Sequence, residues 1–496
     1  MASGRIEPSW RYRIYAFPIV LSQIYYGRPY DYVGYKKLEV AFEPEKASID
    51  ELATRLKSVQ HVESDGLFYI LADDKGSVDF VRLAFLLYGI RTPALYYMYF
   101  TVLFVSCFCF VISYFKDRGK LALLVSWCLA LLLTMPVFVA VPPGISILDL
   151  HAFGILSLIP MLHIVLAATD LNPIRPAQLF PTLVQVFIIT FVYHARASSI
   201  SHTILLIAYP VLVYWSWPSE STSTSFRRRL AMASKRFAPL ALLLIAMASL
   251  PVYQKYTYNP GYFGERATLR HIVYHTLLVG MQMNPVLRER SGLGEGDLGA
   301  ANAVDTFLYE RGQHRIPELR HWAANGLNTV TTQLEFDWVK YEQAAKDLYL
   351  TIWRQQLMQS LLTYVYYHPL DIANVFSFYT FQRYAYNPFR PVFLFVLVLT
   401  ATLCRPRGLV FSPSYMLIAL LMLAATLVVP FVFYAGGFII VAETFVATGF
   451  VIYTTLEFLL SRIVNQMAGS MTSSVAHEDL SDTDTRTAAA QRALAD

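Results

Sequence analysis

The chain has 496 residues, of which 55% are hydrophobic and 15% are charged. Soluble proteins usually carry about 25% charged residues, so this composition excludes an ordinary soluble protein and indicates a membrane protein. The net charge of +5 is small and gives no reason to expect a nucleic-acid partner, because anionic lipid accounts for the excess of basic residues.

Long apolar stretches follow one another along the chain, each a candidate transmembrane helix. A weak stretch comes first, at 12–26, and the clearer ones lie at 94–115, 121–141, 152–168, 177–193, 200–217, 237–253, 389–404, 411–434 and 437–460. The sequence therefore predicts an all-α integral membrane protein with about ten transmembrane helices.

Lys and Arg residues are distributed unevenly between the connections. The short connections on one side contain eleven of them, whereas those on the other side contain one, Arg196. By the positive-inside rule, both termini are predicted to be cytoplasmic and two long loops extracytoplasmic. The predicted divisions are 1–26 (N-terminus and weak first span), 27–93 (first loop), 94–253 (spans two to seven), 254–388 (second loop), 389–460 (spans eight to ten) and 461–496 (disordered cytoplasmic tail).

The first loop is predicted to contain minor β structure and short amphipathic helices. Residues 37–42 and 67–72 have strand-like character, and Ser48 with Glu51 forms a capping box before a short helix. A second helical run at 78–88 is predicted to lie on the membrane surface, with Asp79 and Arg82 facing water.

The second loop is too long for a simple connection and is predicted to contain a helix at 335–357, with Trp338 and Tyr341 on one face. Its aromatic segment, 364–386, is typical of a membrane interface. His271 and His275 have a spacing that can bind a metal on one helix face. Two histidines without a third ligand are more often ordinary surface residues, so no metal site is predicted.

Two adjacent carboxylates, Asp73 and Asp74, precede Lys75, Gly76, Asp79 and Arg82. Asp74 or Asp73 can act as a general base, and Lys75 and Arg82 can bind a phosphate. The alternative is that the two carboxylates only cap the following helix. Motifs typical of soluble chemistry, such as a phosphate-binding loop or a zinc-protease motif, are absent from the sequence.

Further ionisable residues lie at the predicted outer ends of spans. Asp149 and His151 begin one span, and His194 and Arg196 end the next. Ionisable groups near a membrane are often functional, although at the interface they can also reach water. If these side chains converge with Asp74, they would form a binding pocket for a phosphosugar.

The layout resembles the GT-C glycosyltransferases, with a first outer loop that carries acidic residues and an amphipathic helix and then leads into 83–99, LAFLLYGIRTPALYYMY. The resemblance implies a polyprenyl-phosphate sugar donor, membrane lipid as a further partner, and transfer to a glycan or glycolipid at the outer face of a bacterial inner membrane. It leaves the need for a divalent cation and the oligomeric state open. The alternatives are a lipid-linked-sugar flippase or polysaccharide export component, and a non-enzymatic envelope membrane protein.

Overall fold

The structure is a computed structural model. It describes residues 75–91, 93–139, 153–169, 176–195, 226–257, 273–313, 338–377, 413–433 and 446–459, with a few isolated positions beside them. Regular secondary structure in these ranges is helical, with no strand. The strands predicted at 37–42 and 67–72 and the spans predicted at 200–217 and 389–404 lie outside the described residues, and of the weak first span only Val20 and Ile24 are described.

The described helices are α1 (Lys75–Tyr88), α2 (Pro93–Tyr114), α3 (Arg118–Val139), α4 (Ile155–Thr169), α5 (Pro176–Ala195), α6 (Phe226–Thr257), α7 (Val273–Met281), α8 (Pro285–Arg290), α9 (Gly296–Glu310), α10 (Trp338–Gln355), α11 (Leu357–Leu362), α12 (His368–Ser377) and α13 (Pro413–Val432). Of these, α2 to α6 and α13 overlap predicted apolar stretches, and the others lie in the two predicted loops. A single π turn, Thr363–Tyr367, joins α11 to α12. Pro369 follows this turn and lacks the N–H that would continue regular α-helical bonding.

Four helical segments are long and apolar enough to cross a membrane: Pro93–Tyr114, Gln178–Ala195, Arg236–Thr257 and Tyr415–Val432. Two shorter apolar helices, Ile155–Ala167 and Val446–Leu459, accompany them. The described residues confirm the all-α class, and four of their helices could cross a membrane. The total of about ten spans stays a prediction.

The first hydrophobic core lies between α1 and the apolar helices. Phe80 of α1 packs edge-to-face on Phe153, with ring centroids 4.6 Å apart, and Tyr99 and Trp127 are fully buried beside them. Inside this bundle two uncharged polar residues bond to each other. The Ser106 hydroxyl donates to Gln185 Oε1 at 2.8 Å, and Gln185 Nε2 donates to the Ser106 carbonyl at 2.7 Å. Both polar side chains are therefore satisfied away from water.

The side chains of α1 point differently from the prediction. Val78, Val81 and Phe85 pack into the bundle core, and Leu86 is exposed. Asp79, predicted to face water, is instead buried against the bundle. The helix turns this polar side chain inward because a partner for it, His194, stands on α5.

A second core lies in the long loop and joins α7, α8, α9 and α10. Tyr341 is fully buried at its centre, and α10 confirms the helix predicted at 335–357 in all but its first and last few residues. Asn284 caps α8, accepting from the amides of Val286 and Leu287, and donates to the Gln359 carbonyl at 2.9 Å. That single buried amide ties the second core to α11.

One histidine connects the second core to α13. His368 is fully buried, with Nδ1 2.5 Å from the Phe431 carbonyl oxygen and Nε2 2.9 Å from the Gly280 carbonyl oxygen. Both acceptors are backbone carbonyls, one near the end of α7 and one near the end of α13. The His368 ring therefore links the ends of these two helices to α12.

Both long loops contribute helices to the same end of the bundle. The first residues of α13 lie near the connection between α2 and α3, where Tyr415 meets Gly119, and its last residues lie beside α7. Helix α1 lies beside the C-terminal end of α5, where Gly76 meets His194. We call the end that carries α1, α7 and α12 the loop end, and the end that carries Gly119 the opposite end.

Candidate functional site

A buried polar cluster at the loop end joins α1, α5 and α6. His194 Nε2 lies 3.0 Å from Asp79 Oδ2, and His194 Nδ1 lies 3.2 Å from Gln254 Nε2. Asp79 and His194 are each 8% exposed, and the Tyr253 ring closes one side of the imidazole edge-to-face at 5.9 Å. A carboxylate is placed so deeply only where hydrogen bonds compensate its lost hydration.

Gly76 allows α1 to approach close enough for this contact. A Cβ built on Gly76 would collide with the backbone and ring of His194. Gly76 and Asp79 are three residues apart and so share one helix face, which sets the glycine and the carboxylate against the same histidine. The short spacing between them therefore makes the carboxylate–imidazole bond possible.

The hydrogen bonds of His194 orient its ring towards Asp79. With the Gln254 amide nitrogen facing Nδ1, the ring accepts from Gln254 at Nδ1 and donates from Nε2 to Asp79 Oδ2. Asp79 therefore receives an N–H from His194, and Gln254 selects the ring tautomer that supplies it.

Two of the eight residues predicted for the site have described side chains. His194 lies in the buried cluster, and Arg82 of α1 is half-buried with interactions of its own. Lys75 is the first residue of α1, and only its backbone is described. Asp73, Asp74, Asp149, His151 and Arg196 lie outside the described residues, so their convergence with His194 stays a prediction.

Gln254 and Tyr253 are site residues that the sequence analysis missed. Both stand in the last turns of α6, and the signal available for Gln254 was a polar residue near the end of an apolar span. Asp79 was noted near Asp74, but its side chain was predicted to face water. Helical periodicity could not show that Asp79 and Gln254 both face His194, because the packing between helices decides which polar residues face each other.

A second polar cluster lies in the long-loop core, where His275 joins α7, α9 and α10. Its Nδ1 lies 2.6 Å from the Tyr341 hydroxyl, and its Nε2 lies 3.3 Å from Asp297 Oδ1. Burial raises the pKa of the Tyr341 phenol well above its ordinary value, so the hydroxyl remains protonated and donates to Nδ1 while Nε2 donates to Asp297. Tyr341 is fully buried and the Asp297 side chain is exposed, so this set of hydrogen bonds ties three helices of the second core together.

No metal site is found in the described part of the chain. No group of three or more His, Cys, Asp and Glu side chains comes together there. His275, considered above for its spacing from His271, uses both ring nitrogens within the protein, and His271 lies outside the described residues.

Comparisons with known proteins identify no relative: no family model, no curated protein and no solved structure matches this chain.

Proposed function

We propose that this protein is a multi-pass membrane glycosyltransferase that moves a sugar from a polyprenyl-phosphate donor to a cell-envelope glycan or glycolipid. The observation that carries the proposal is the buried Asp79–His194 pair at the loop end. A carboxylate and an imidazole in direct contact can accept and hold a proton. Their position beside helices of both long loops supports a reaction at the membrane surface.

In the proposed reaction the acceptor hydroxyl loses its proton to Asp79 while its oxygen bonds to the anomeric carbon of the donor sugar. The bond between that carbon and the phosphate oxygen breaks, and polyprenyl phosphate leaves with the electron pair. His194 stabilises the Asp79 carboxylate through its Nε2–H. Lys75, Arg82 and Arg196 would offset the charge that builds on the leaving phosphate.

The proposal shifts the base from Asp74 or Asp73 to Asp79. Asp79 is the acidic residue of this segment for which the described structure supplies a proton-holding partner. Asp74 and Asp73 are five and six residues before it, so either can still contact substrate at the start of α1. Separate mutation of Asp79, Asp74 and Asp73 distinguishes the general base from a residue that only contacts substrate.

The arrangement of polar side chains favours the enzyme over a transporter. In the described spans, the charged side chains stand at the ends, as Lys120 and Asp117 do at the opposite end, 3.3 Å apart. Part-way along the described apolar helices, Ser106 and Gln185 form a neutral, mutually bonded pair, and the buried His163 of α4 lies 3.3 Å from the Thr182 hydroxyl. A pathway for a charged headgroup would need several ionisable groups part-way across, more than this single histidine. We further propose ten spans, cytoplasmic termini and location in a bacterial inner membrane.

The test measures transfer from a panel of radiolabelled polyprenyl-phosphate sugars by membranes containing each variant. Asp79→Asn is expected to lower the rate by about 10²–10⁴-fold, because it keeps the shape and removes the proton acceptor. Asp117→Asn is the matched control: it also removes a carboxylate that has a side-chain partner, Lys120, but at the opposite end, and should retain activity.

Three outcomes would contradict the proposal in different ways. Full activity of Asp79→Asn with loss in Asp74→Asn or Asp73→Asn returns the base to the earlier residues. Full activity of all three variants removes the base from this segment. No transfer by wild-type membranes from any donor, with a lipid-linked glycan stranded on the inner leaflet when the gene is deleted, establishes a flippase. Size-exclusion elution of each purified variant checks that it folds.

A further inference from the structure

Helices α11 and α12 and the π turn between them present an apolar face that no described part of the protein covers. Its most exposed side chains are Val365 and Met358, at 72% and 68%. The members of this face, which we call the 357–370 face, are Leu357, Met358, Leu361, Leu362, Val365, Tyr366 and Leu370. Their spacing of four residues in two adjacent rows places them on one side of the helical segment.

The sequence of this segment lacks charge. From 355 to 370 there is no Asp, Glu, Lys or Arg. An exposed helix of a water-soluble domain normally turns charged residues outward, as α10 does with Lys340 and Arg354. A continuous apolar face with no charge beside it is the composition expected of a segment in contact with lipid.

The other side of the segment is anchored to the membrane bundle. Ile372 of α12 belongs to the same core as the apolar spans, and His368 bonds to the Phe431 carbonyl near the end of α13. The Phe431 side chain is itself 40% exposed, so α13 has exposed apolar surface at the end that contacts α12. These contacts fix the 357–370 face at the level where a candidate span ends.

The buried side of the segment is held by the second core. Ser360 and Thr363 are fully buried, and Asn284 Nδ2 donates to Thr363 Oγ1 at 3.3 Å. The segment therefore cannot roll its apolar side inward without breaking polar contacts. The face extends about 20 Å along the helical axis, at 1.5 Å per residue, and the described residues leave it uncovered.

We infer that the 357–370 face lies in the bilayer, parallel to its surface, with lipid acyl chains as its occupant. The long loop would thus be partly embedded in the leaflet at the loop end. Tyr364, Tyr366 and Tyr367 lie in the same segment, and tyrosines favour the depth at which hydrocarbon meets headgroups. The inference requires membrane-spanning helices but not the proposed reaction, so it stands or fails independently of glycosyl transfer.

The test places a bimane fluorophore on single cysteines at Val365 and Met358, with Asn302 as control. Asn302 is an exposed polar residue on α9 of the same loop. The four native cysteines are replaced, and each protein is reconstituted in lipid nanodiscs. Doxyl-labelled lipid is expected to quench most of the fluorescence at Val365 and Met358 and little at Asn302, while aqueous iodide gives the reverse pattern.

A second measurement uses the chain with its native cysteines. A benzophenone amino acid at Val365 is irradiated in intact membranes, and the adduct is analysed by mass. A lipid adduct supports the inference. An adduct to another protein, or iodide quenching at Val365 equal to that at Asn302 in nanodiscs, overturns it.

Discussion

At the scale of single residues, three buried histidines have hydrogen-bond partners at both ring nitrogens. His194 lies against Asp79 and Gln254, His275 against Tyr341 and Asp297, and His368 against two backbone carbonyls. The Asp79–His194 pair joins α1 to the end of the apolar helix α5, whereas His275 joins helices of the second loop and His368 joins α12 to α7 and α13. The location of the Asp79–His194 pair is what makes it the candidate for chemistry.

Glu342 makes a pH dependence testable at the residue scale. Its Oε1 accepts from the Tyr274 amide at 2.9 Å, and Oε2 is buried without a partner among the described residues. Desolvation by burial raises the pKa of the Glu342 carboxyl, although amide hydrogen bonds from the start of α7 and the nearby His275 act in the opposite direction. The folded protein therefore binds this proton more tightly than the unfolded chain.

Because the pKa of Glu342 is raised in the folded protein, the contribution of this residue to the free energy of unfolding is largest below the ordinary glutamate pKa. It falls as pH rises through the raised value. Glu342→Gln keeps the acceptor for Tyr274 and removes the titration. In thermal unfolding of detergent-solubilised protein, we expect the melting temperature of the variant minus that of the wild type to increase as pH rises from 4 towards 7. A constant difference between the two proteins would contradict the burial argument.

At the scale of elements, the junction of α7, α12 and α13 depends on a close backbone approach. A Cβ on Gly280 would collide with the Phe433 carbonyl oxygen and would lie 3.2 Å from the His368 ring. A backbone carbonyl cannot turn aside as a flexible side chain can. The contact that anchors the second core to α13 therefore requires glycine at this position.

We expect Gly280→Ala to destabilise the protein by about 1–3 kcal/mol, the usual cost of overpacking. Gly449→Ala is the matched control, since both glycines are helical and gain similarly in helix propensity. A Cβ on Gly449 would lie 3.2 Å from the Ala130 Cβ, a contact that a small shift relieves. Thermal unfolding followed by tryptophan fluorescence compares them, and equal melting temperatures would show that the α7–α13 contact is not tight.

At the scale of the whole molecule, helices of both long loops share one end of the bundle. The excess of Lys and Arg on the short connections predicts that this end lies outside the cytoplasm. Asn302 of α9, exposed in the second loop, is a suitable position for a topology probe at this end.

We expect a cysteine at Asn302 to react with a membrane-impermeant maleimide on intact cells, and a cysteine at Arg228 to react only after the membrane is permeabilised. The wild-type chain, whose four cysteines all fall in predicted spans, gives the background. Reaction at Arg228 but not at Asn302 would reverse the orientation. Reaction at both positions on intact cells would exclude the ten-span arrangement.

The sequence by itself determined the helical class of the described residues and the positions of the four helices long and apolar enough to cross a membrane. Long apolar runs such as α2 and α13 allow few alternatives, because backbone groups in lipid must be bonded within a helix. The amphipathic α10 was equally readable, since its buried residues repeat with the helical period. These features are local, so the sequence records them directly.

Tertiary structure alone decided which polar residues meet. Asp79 and His194 are 115 positions apart, and Gly280 and His368 are 88 apart, so no periodicity relates them. The direction of Asp79 depends on how α1 lies against α5, and the exposure of Val365 depends on how α12 lies against α13. Helical periodicity assigns a face to each residue, but the packing between helices determines what that face touches.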